Sequence, residues 1–445
     1  MLSSLRPPLR WPACRISSRH FSFTRLKRSE PIAPSNLQPG NLPWFTSFPS
    51  FQQQLARTSK LPSFSDSVRR PSVRTQVLFF ACGSLVALFV GARLTNTETY
   101  EWSNRLCSSA PAWRDRPPTN DEMRRARYYA FGKDLQDSLA VMKDAIEDWP
   151  MSIKNVLIWT YIQVAQPVLD TTETRRLAWV VGAFNGLLYF MWQSPRTRLL
   201  MQTHFMHSPL SGRSYTMLTS LFSHRRFVHL WLCSAAAAAF GSAAAQYLFE
   251  ERNHDPDNLR EATPKWHFLA FFISAGLFSN LVSHVAASRI SFPRLVARLR
   301  SSAASAPHPS SSAAASKPKA GFFARLRLKR TASPEDIPSF VGASGAVYSA
   351  FTVVALAYPD TDLALKIPPT FPLSIEWGLG MLLALDVIGV LRGWRLFNHW
   401  AHLGGAAFGA FYWEYGPFIW EVCRLLTLGS LPPILCDVPD EQEEQ

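Results

Sequence analysis

Cysteine is scarce, with six residues in 445 (Cys14, Cys82, Cys107, Cys233, Cys423 and Cys436), and no two form a C-x-x-C pair. That spacing supports neither a disulfide framework nor a cysteine zinc site, and it leaves redox chemistry without a candidate. Acidic residues are few as well, 32 against 46 Lys and Arg, for a net charge of +14. The basic residues gather in the N-terminal segment and in loops between apolar blocks. Such placement suits targeting and membrane orientation, not the tracking of phosphates, so no nucleic-acid partner is expected. No apolar run follows the basic start, which excludes a secretory signal.

What the chain does have is a series of blocks almost free of charge, each of roughly 17–22 residues, the length that crosses a bilayer core as a helix. Long Pro- and Ser-rich stretches separate them and hold the mean hydropathy near zero, at −0.02. The pattern is that of an all-α, polytopic membrane protein in contact with lipid, and it excludes a purely soluble enzyme.

Residues 1–30 carry Arg6, Arg10, Arg15, Arg19, Arg25, Lys27 and Arg28 but one acid, Glu30. An Arg-rich, Ser-rich, acid-poor start reads as an organellar transit peptide, and Arg19-His20-Phe21-Ser22 resembles a mitochondrial processing site. Residues 31–75 read as a linker. The first span is Gln76–Ala92, and 93–176 is an extramembrane helical segment. Within it Asp121–Trp149 suits a surface helix, and Ile153–Val168 an interfacial helix that does not cross. Six further spans are expected at Leu177–Trp192, Phe227–Phe249, Trp266–Ala287, Gly342–Tyr358, Ser374–Leu391 and Phe397–Gly416. A low-complexity insertion, 288–340, interrupts them as a disordered segment, and 417–445 forms a tail with an acidic end.

Loop charges alternate. The N-terminal segment, 195–226, the insertion and the Arg392/Arg395 loop are basic; the 250–265 loop, the Asp360/Asp362 loop and the end of the chain are acidic. Seven spans with the N-terminus on the basic side satisfy the positive-inside rule. In a mitochondrial inner membrane that side is the matrix.

This topology sets three chemical clusters at one depth. Phe340–Tyr348 opens the fifth span with Gly342-Ala343-Ser344-Gly345, Trp400–Gly409 opens the seventh with His402, and His224 and His229 open the third. A serine and histidines converging near helix N-termini suit acyl transfer: the imidazole takes the serine proton, and backbone N–H groups hold the oxyanion. Gly405 and Gly409 form a small-x-x-x-small face for close helix packing, and Gly345 flanks the serine.

Together these motifs resemble the rhomboid intramembrane serine proteases, specifically the mitochondrial presenilin-associated rhomboid-like type. The resemblance covers 177–416. Gly342-Ala343-Ser344-Gly345 matches the family's G-x-S-G, and Ala401-His402-Leu403-Gly404-Gly405-Ala406-Ala407-Phe408-Gly409 its A-H-x-x-G-x-x-x-G. Ser274-Ala275-Gly276, Ser279-Asn280 and Gly393–His399 add support.

The resemblance implies a six-helix core preceded by one additional transmembrane helix (1+6), with Ser344 as nucleophile and His402 as general base in a dyad without a third acid. It implies an oxyanion site from His229 and the Gly342-Ala343-Ser344 backbone, Tyr348 against the imidazole, and His224 supporting a loop. Implied substrates are single-pass inner-membrane proteins, dynamin-like GTPases among them. One position departs: Cys233 stands where the family usually has Asn, and losing one oxyanion donor costs about 2.7–4 kcal/mol.

Asp386, inside the sixth span, is expected to face inward as a packing hydrogen-bonder, too far along the chain from both motifs to serve His402. His399 with His402 lacks a carboxylate or third ligand at suitable spacing, so no metal and no cofactor is expected. Two rival readings remain, a weak or inactive rhomboid-like scaffold that binds transmembrane helices, and a transporter or channel. The second would need more intramembrane charges and interrupted helices.

Overall fold

The computed structural model describes residues 70–109, 116–253, 258–304, 337–363, 372–394 and 397–429. The expected transit peptide, the expected linker up to residue 69, most of the insertion and the acidic end of the tail lie outside the described residues.

Apolar blocks become helices because a backbone in hydrocarbon must satisfy its own N–H and C=O groups, and a helix does so within one segment. In chain order these are α1 (Arg74–Ser108), α2 (Asn120–Ala145), α3 (Met151–Asp170), α4 (Glu173–Gln193) and α5 (Phe227–Ala236). A single π turn, Ala237–Gly241, joins α5 to α6 (Ser242–Asn253). Then follow α7 (Lys265–Ala286), a second π turn at Ala287–Ser291, α8 (Phe292–Ala304), α9 (Ser344–Ala357), α10 (Ile375–Arg392) and α11 (His399–Leu428). Two short antiparallel strands, β1 (Asp362–Leu363) and β2 (Leu373–Ser374), close the α9–α10 connection. Among the described residues, three stretches are long and apolar enough to cross a membrane: Arg74–Ser108, Phe227–Arg252 and Lys265–Arg298; Ser344–Ala357 is a shorter apolar helix.

Several helices outrun their uncharged windows. The helix expected at 76–92 continues to Ser108, because its polar C-terminal half finds partners: Glu98 pairs with Arg127 (2.6 Å) and Lys265 (2.7 Å). Residues 288–304, expected as part of a disordered insertion, continue α7 through the π turn into α8. Phe292 and Leu295 are buried there with Ile337 and Phe340. The last helix passes Gly416 and Pro417 to Leu428, and Trp420 and Arg424 are buried. Arg424 donates to Asn96 Oδ1 (2.9 Å) and to the carbonyls of Leu259 (3.0 Å) and Arg260 (2.6 Å). Arg252 pairs with both Glu261 and Glu421 nearby. A charge removed from water must be paired and hydrogen-bonded, and this cluster ties α1, α6 and the α6–α7 loop to α11. The stretch read as interfacial, 153–168, lies in α3, which has no buried residue and leans on α2 through Tyr161 Oη donating to Leu135 O (2.8 Å).

The core centres on α9, whose residues from Gly345 to Ala355 are buried almost without interruption between α7 and α11. Glycine makes this approach possible. A Cβ on Gly405 would collide with the Gly345 carbonyl, and one on Gly409 with that of Ser349. Ser349 Oγ uses the closeness to donate to Gly405 O (2.6 Å). Gly405→Val is expected to destabilise the fold by about 3 kcal/mol through overpacking. Gly380→Ala, at a helix-interior position with open space, should cost nothing and stabilise by up to about 1 kcal/mol. Thermal unfolding in detergent compares the two.

The loop before α9 is anchored from the other side. Phe340 and His207 pair as an antiparallel bridge (N–O distances 2.8 and 3.0 Å), and Gly342 N donates to Ser220 O (2.9 Å). The His207 ring is enclosed, with Thr216 Oγ1 at 2.8 Å and His284 Nδ1 at 3.0 Å. Burial first, then the charge of the neighbouring His284, pushes the His207 imidazole down to about 3. The folded protein therefore keeps His207 neutral where an unfolded histidine is already protonated. Stability is complete above pH ~6.5 and falls as pH drops toward 3, by up to about 1.4 kcal/mol per pH unit. Unfolding measured at pH 7.5 and 5 should show stability falling with pH, and His207→Gln should reduce the slope by that contribution.

Candidate active site

Ser344 is the first residue of α9, so its N–H has no helical acceptor behind it and faces outward from the helix start. The residue before the cap, Gly342, has φ = 116°, a conformation that favours glycine. His229 packs on the bare face of Gly342, where a Cβ would run into its ring.

His402 comes from the second turn of α11. The register of that helix is set by Asn398, whose side chain accepts from Ala401 N (3.3 Å) and from Ser283 Oγ of α7 (3.0 Å). The consequence is a short contact: His402 Nε2 lies 3.1 Å from Ser344 Oγ. Tyr348, one turn beyond the serine, stacks flat on the imidazole with ring centroids 4.2 Å apart and planes 9° from parallel. The ring is held in one plane, and the serine lies in that plane's reach.

Asp386 corrects the expectation that it is too remote to serve His402. Its carboxylate sits 3.0 and 3.2 Å from His402 Nδ1 and 2.6 Å from His399 Nδ1. Gly389, one turn further along α10, makes the approach possible, because any side chain there would collide with His399. Asp386 is 3% exposed, so its charge is held by these N–H donors and not by water. The carboxylate that His399 and His402 were expected to lack is therefore Asp386. An anionic carboxylate accepts the Nδ1 proton, which leaves Nε2 as a lone pair toward the serine hydroxyl. Ser344, His402 and Asp386 form one hydrogen-bonded line, the arrangement that turns an unreactive hydroxyl into a nucleophile.

On the other flank of Ser344 lie His224, His229 and Cys233. His224 is buried, and Ala343 N donates to its Nε2 at 3.4 Å. Its ring meets that of His229 edge to face at 5.0 Å. Cys233 is buried one turn after His229 on the same side of α5. Gly345 abuts Ser279 of α7, where a Cβ would collide.

Residues 211–416 match the Rhomboid domain family model. The matched residues are similar to a rhomboid domain, and the chain as described is that of an all-α membrane protein. The curated proteins it resembles include presenilin-associated rhomboid-like protein, mitochondrial, from Mus musculus, 27% identical over 252 residues (56% of this chain, 51% of that protein). The Homo sapiens protein of the same name is 27% identical over 254 residues (57% and 52%). The Danio rerio protein A is 27% identical over 252 residues (56% and 50%). The chain spans about half the length of the curated relatives it matches. No solved structure matches it.

Proposed function

We propose that the protein is an intramembrane serine endopeptidase of the mitochondrial inner membrane. The observation that carries this reading is the line from Ser344 Oγ through His402 to Asp386, with contacts of 3.1 and 3.0 Å. In the reaction His402 Nε2 takes the Ser344 proton as Oγ attacks a peptide carbonyl. Asp386 steadies the imidazolium through Nδ1, and Tyr348 fixes the plane of the ring. The oxyanion is held by the Ser344 N–H at the positive end of α9 and by His229. His402 then gives its proton to the leaving amine, and water releases the acyl group by the same path reversed.

Substrates are single-pass inner-membrane proteins, with dynamin-like GTPases one class to test. A helix must unwind locally to expose its carbonyl, so small or helix-breaking residues near the cut favour cleavage. The seven-span, 1+6 arrangement, with the N-terminus in the matrix, belongs to this reading. Cys233 favours a second one, a slow or silent helix-binding scaffold, because a thiol is a poor oxyanion donor.

The deciding experiment treats purified full-length protein with a fluorophosphonate and presents a panel of single-pass reporters in proteoliposomes. The protease reading expects covalent labelling mapped to Ser344 and a cut within the apolar segment. Folded protein that neither labels nor cuts any reporter leaves the scaffold.

A further inference from the structure

Cys233 lies in a set of metal-binding side chains. It follows His229 by four residues on α5, so both project from one face. His224, in the loop that leads into the helix, supplies a second imidazole. One ring nitrogen from each histidine and the Cys233 sulfur all lie within 4.8 Å of one another. His224 and Cys233 are buried and His229 is half-buried.

We propose that His224, His229 and Cys233 form a Zn²⁺ site beside Ser344, and that the bound ion switches the enzyme off. The switching half rests on the protease reading above; the binding half does not. Two imidazoles and a thiolate are a natural zinc donor set, and three protein ligands leave a fourth position for water or substrate. With Zn–N near 2.0–2.1 Å and Zn–S near 2.3 Å, tetrahedral ligands sit about 3.3–3.6 Å apart. Side-chain adjustments of about an ångström therefore close the set. No redox partner is needed: as the Zn–S bond forms, the thiol proton passes to water, and both histidines bind in their neutral form.

Position explains the inhibition. The His229 ring lies over Gly342, and Ala343 N–H approaches both His224 Nε2 (3.4 Å) and the Cys233 sulfur. An ion held by these three groups occupies the backbone flank of the nucleophile, where the substrate carbonyl oxygen must enter. It also takes His229 away from the oxyanion. An asparagine at 233 supplies a hydrogen-bond donor but only a weak zinc ligand, so metal sensitivity follows from this chain's departure from the rhomboid pattern. A second set, Asp386, His399 and His402, also lies within 4.8 Å. Its groups are engaged with one another and with Ser344, and the test separates the two.

Metal-free, full-length protein is titrated with Co²⁺, then Zn²⁺, and reporter cleavage is followed with and without Zn²⁺. The expected result is one equivalent of cobalt with a thiolate charge-transfer band, displaced by zinc and missing in both Cys233→Asn and Cys233→Ser. Zinc should slow wild-type cleavage by about tenfold or more, reversibly with chelator, and the Cys233 variants should need at least about tenfold more metal. A band that survives in both variants overturns the site. So does zinc inhibition unchanged in them, which places the ion on Asp386, His399 and His402. Dyad-dependent cleavage with neither band nor zinc effect overturns the site and leaves the protease. A Cys233-dependent band in protein that cuts no reporter upholds the site and removes the protease.

Discussion

Ser344→Ala and His402→Ala are each expected to lower the rate of reporter cleavage in proteoliposomes by a factor on the order of 10⁴–10⁶. The two groups act as one unit across a 3.1 Å contact. Without the hydroxyl there is nothing to acylate, and without the imidazole the hydroxyl keeps its proton. The double variant should therefore be no slower than either single one, since removing one member of a coupled pair already forfeits the whole effect. Ser344→Ala removes one partly exposed hydroxyl and should leave the unfolding temperature in detergent near the wild-type value, whereas His402→Ala takes a partner from the buried Asp386 carboxylate and should lower it. Ser344→Ala that cuts as fast as the wild type would remove this serine from the chemistry and, with it, the proposed function.

The second large effect is Asp386→Asn, with an expected loss in kcat of about 10²–10⁴ and little change in KM. The substitution keeps the shape of the side chain but replaces an acceptor-only carboxylate with an amide that can also donate. A donating amide facing Nδ1 favours the tautomer with the proton on Nε2, which cannot accept from Ser344. The variant also loses the negative charge that stabilises the imidazolium in the transition state. The range is wide because His399, 2.6 Å from the same carboxylate, competes to decide how an amide would orient. A purely structural aspartate would show itself as lowered unfolding temperature with intact kcat. On the Ser344→Ala background, Asp386→Asn should cost nothing further in rate.

These two predictions differ in how visible their residues are in the chain. Ser344 and His402 stand inside short motifs, each at the start of an apolar block, and the charge alternation of the loops predicts those starts at one depth. Gly345, Gly405 and Gly409 are legible for a similar reason, since small residues four apart in an apolar helix mark a surface where backbones meet. Asp386 has no such motif. It is a single acid in the middle of a helix, and nothing in a linear spacing tells which neighbour it turns toward. Gly389 could have drawn notice as a small residue one turn away, but its partner His399 belongs to another helix.

Helix ends were hidden for a related reason. Hydropathy marks the part of a helix that lipid can cover, whereas its ends are set by partners elsewhere in the chain. The polar half of α1 persists because Asn96 and Glu98 meet Arg424, Arg127 and Lys265. Residues beyond Ser288 remain helical because Phe292 and Leu295 find Ile337 and Phe340.

Composition and periodicity thus determined the class of the protein, an all-α membrane chain, and short motifs marked Ser344 and His402 as candidates, because desolvation forces long uncharged segments into helices and because such motifs are local. The tertiary structure decided the rest. It brought Asp386 to His402, assembled His224, His229 and Cys233 into one set, and extended the helices past their apolar windows. Each of these depends on which buried polar group meets which partner across helices, a choice made by packing distances that no one-dimensional pattern contains.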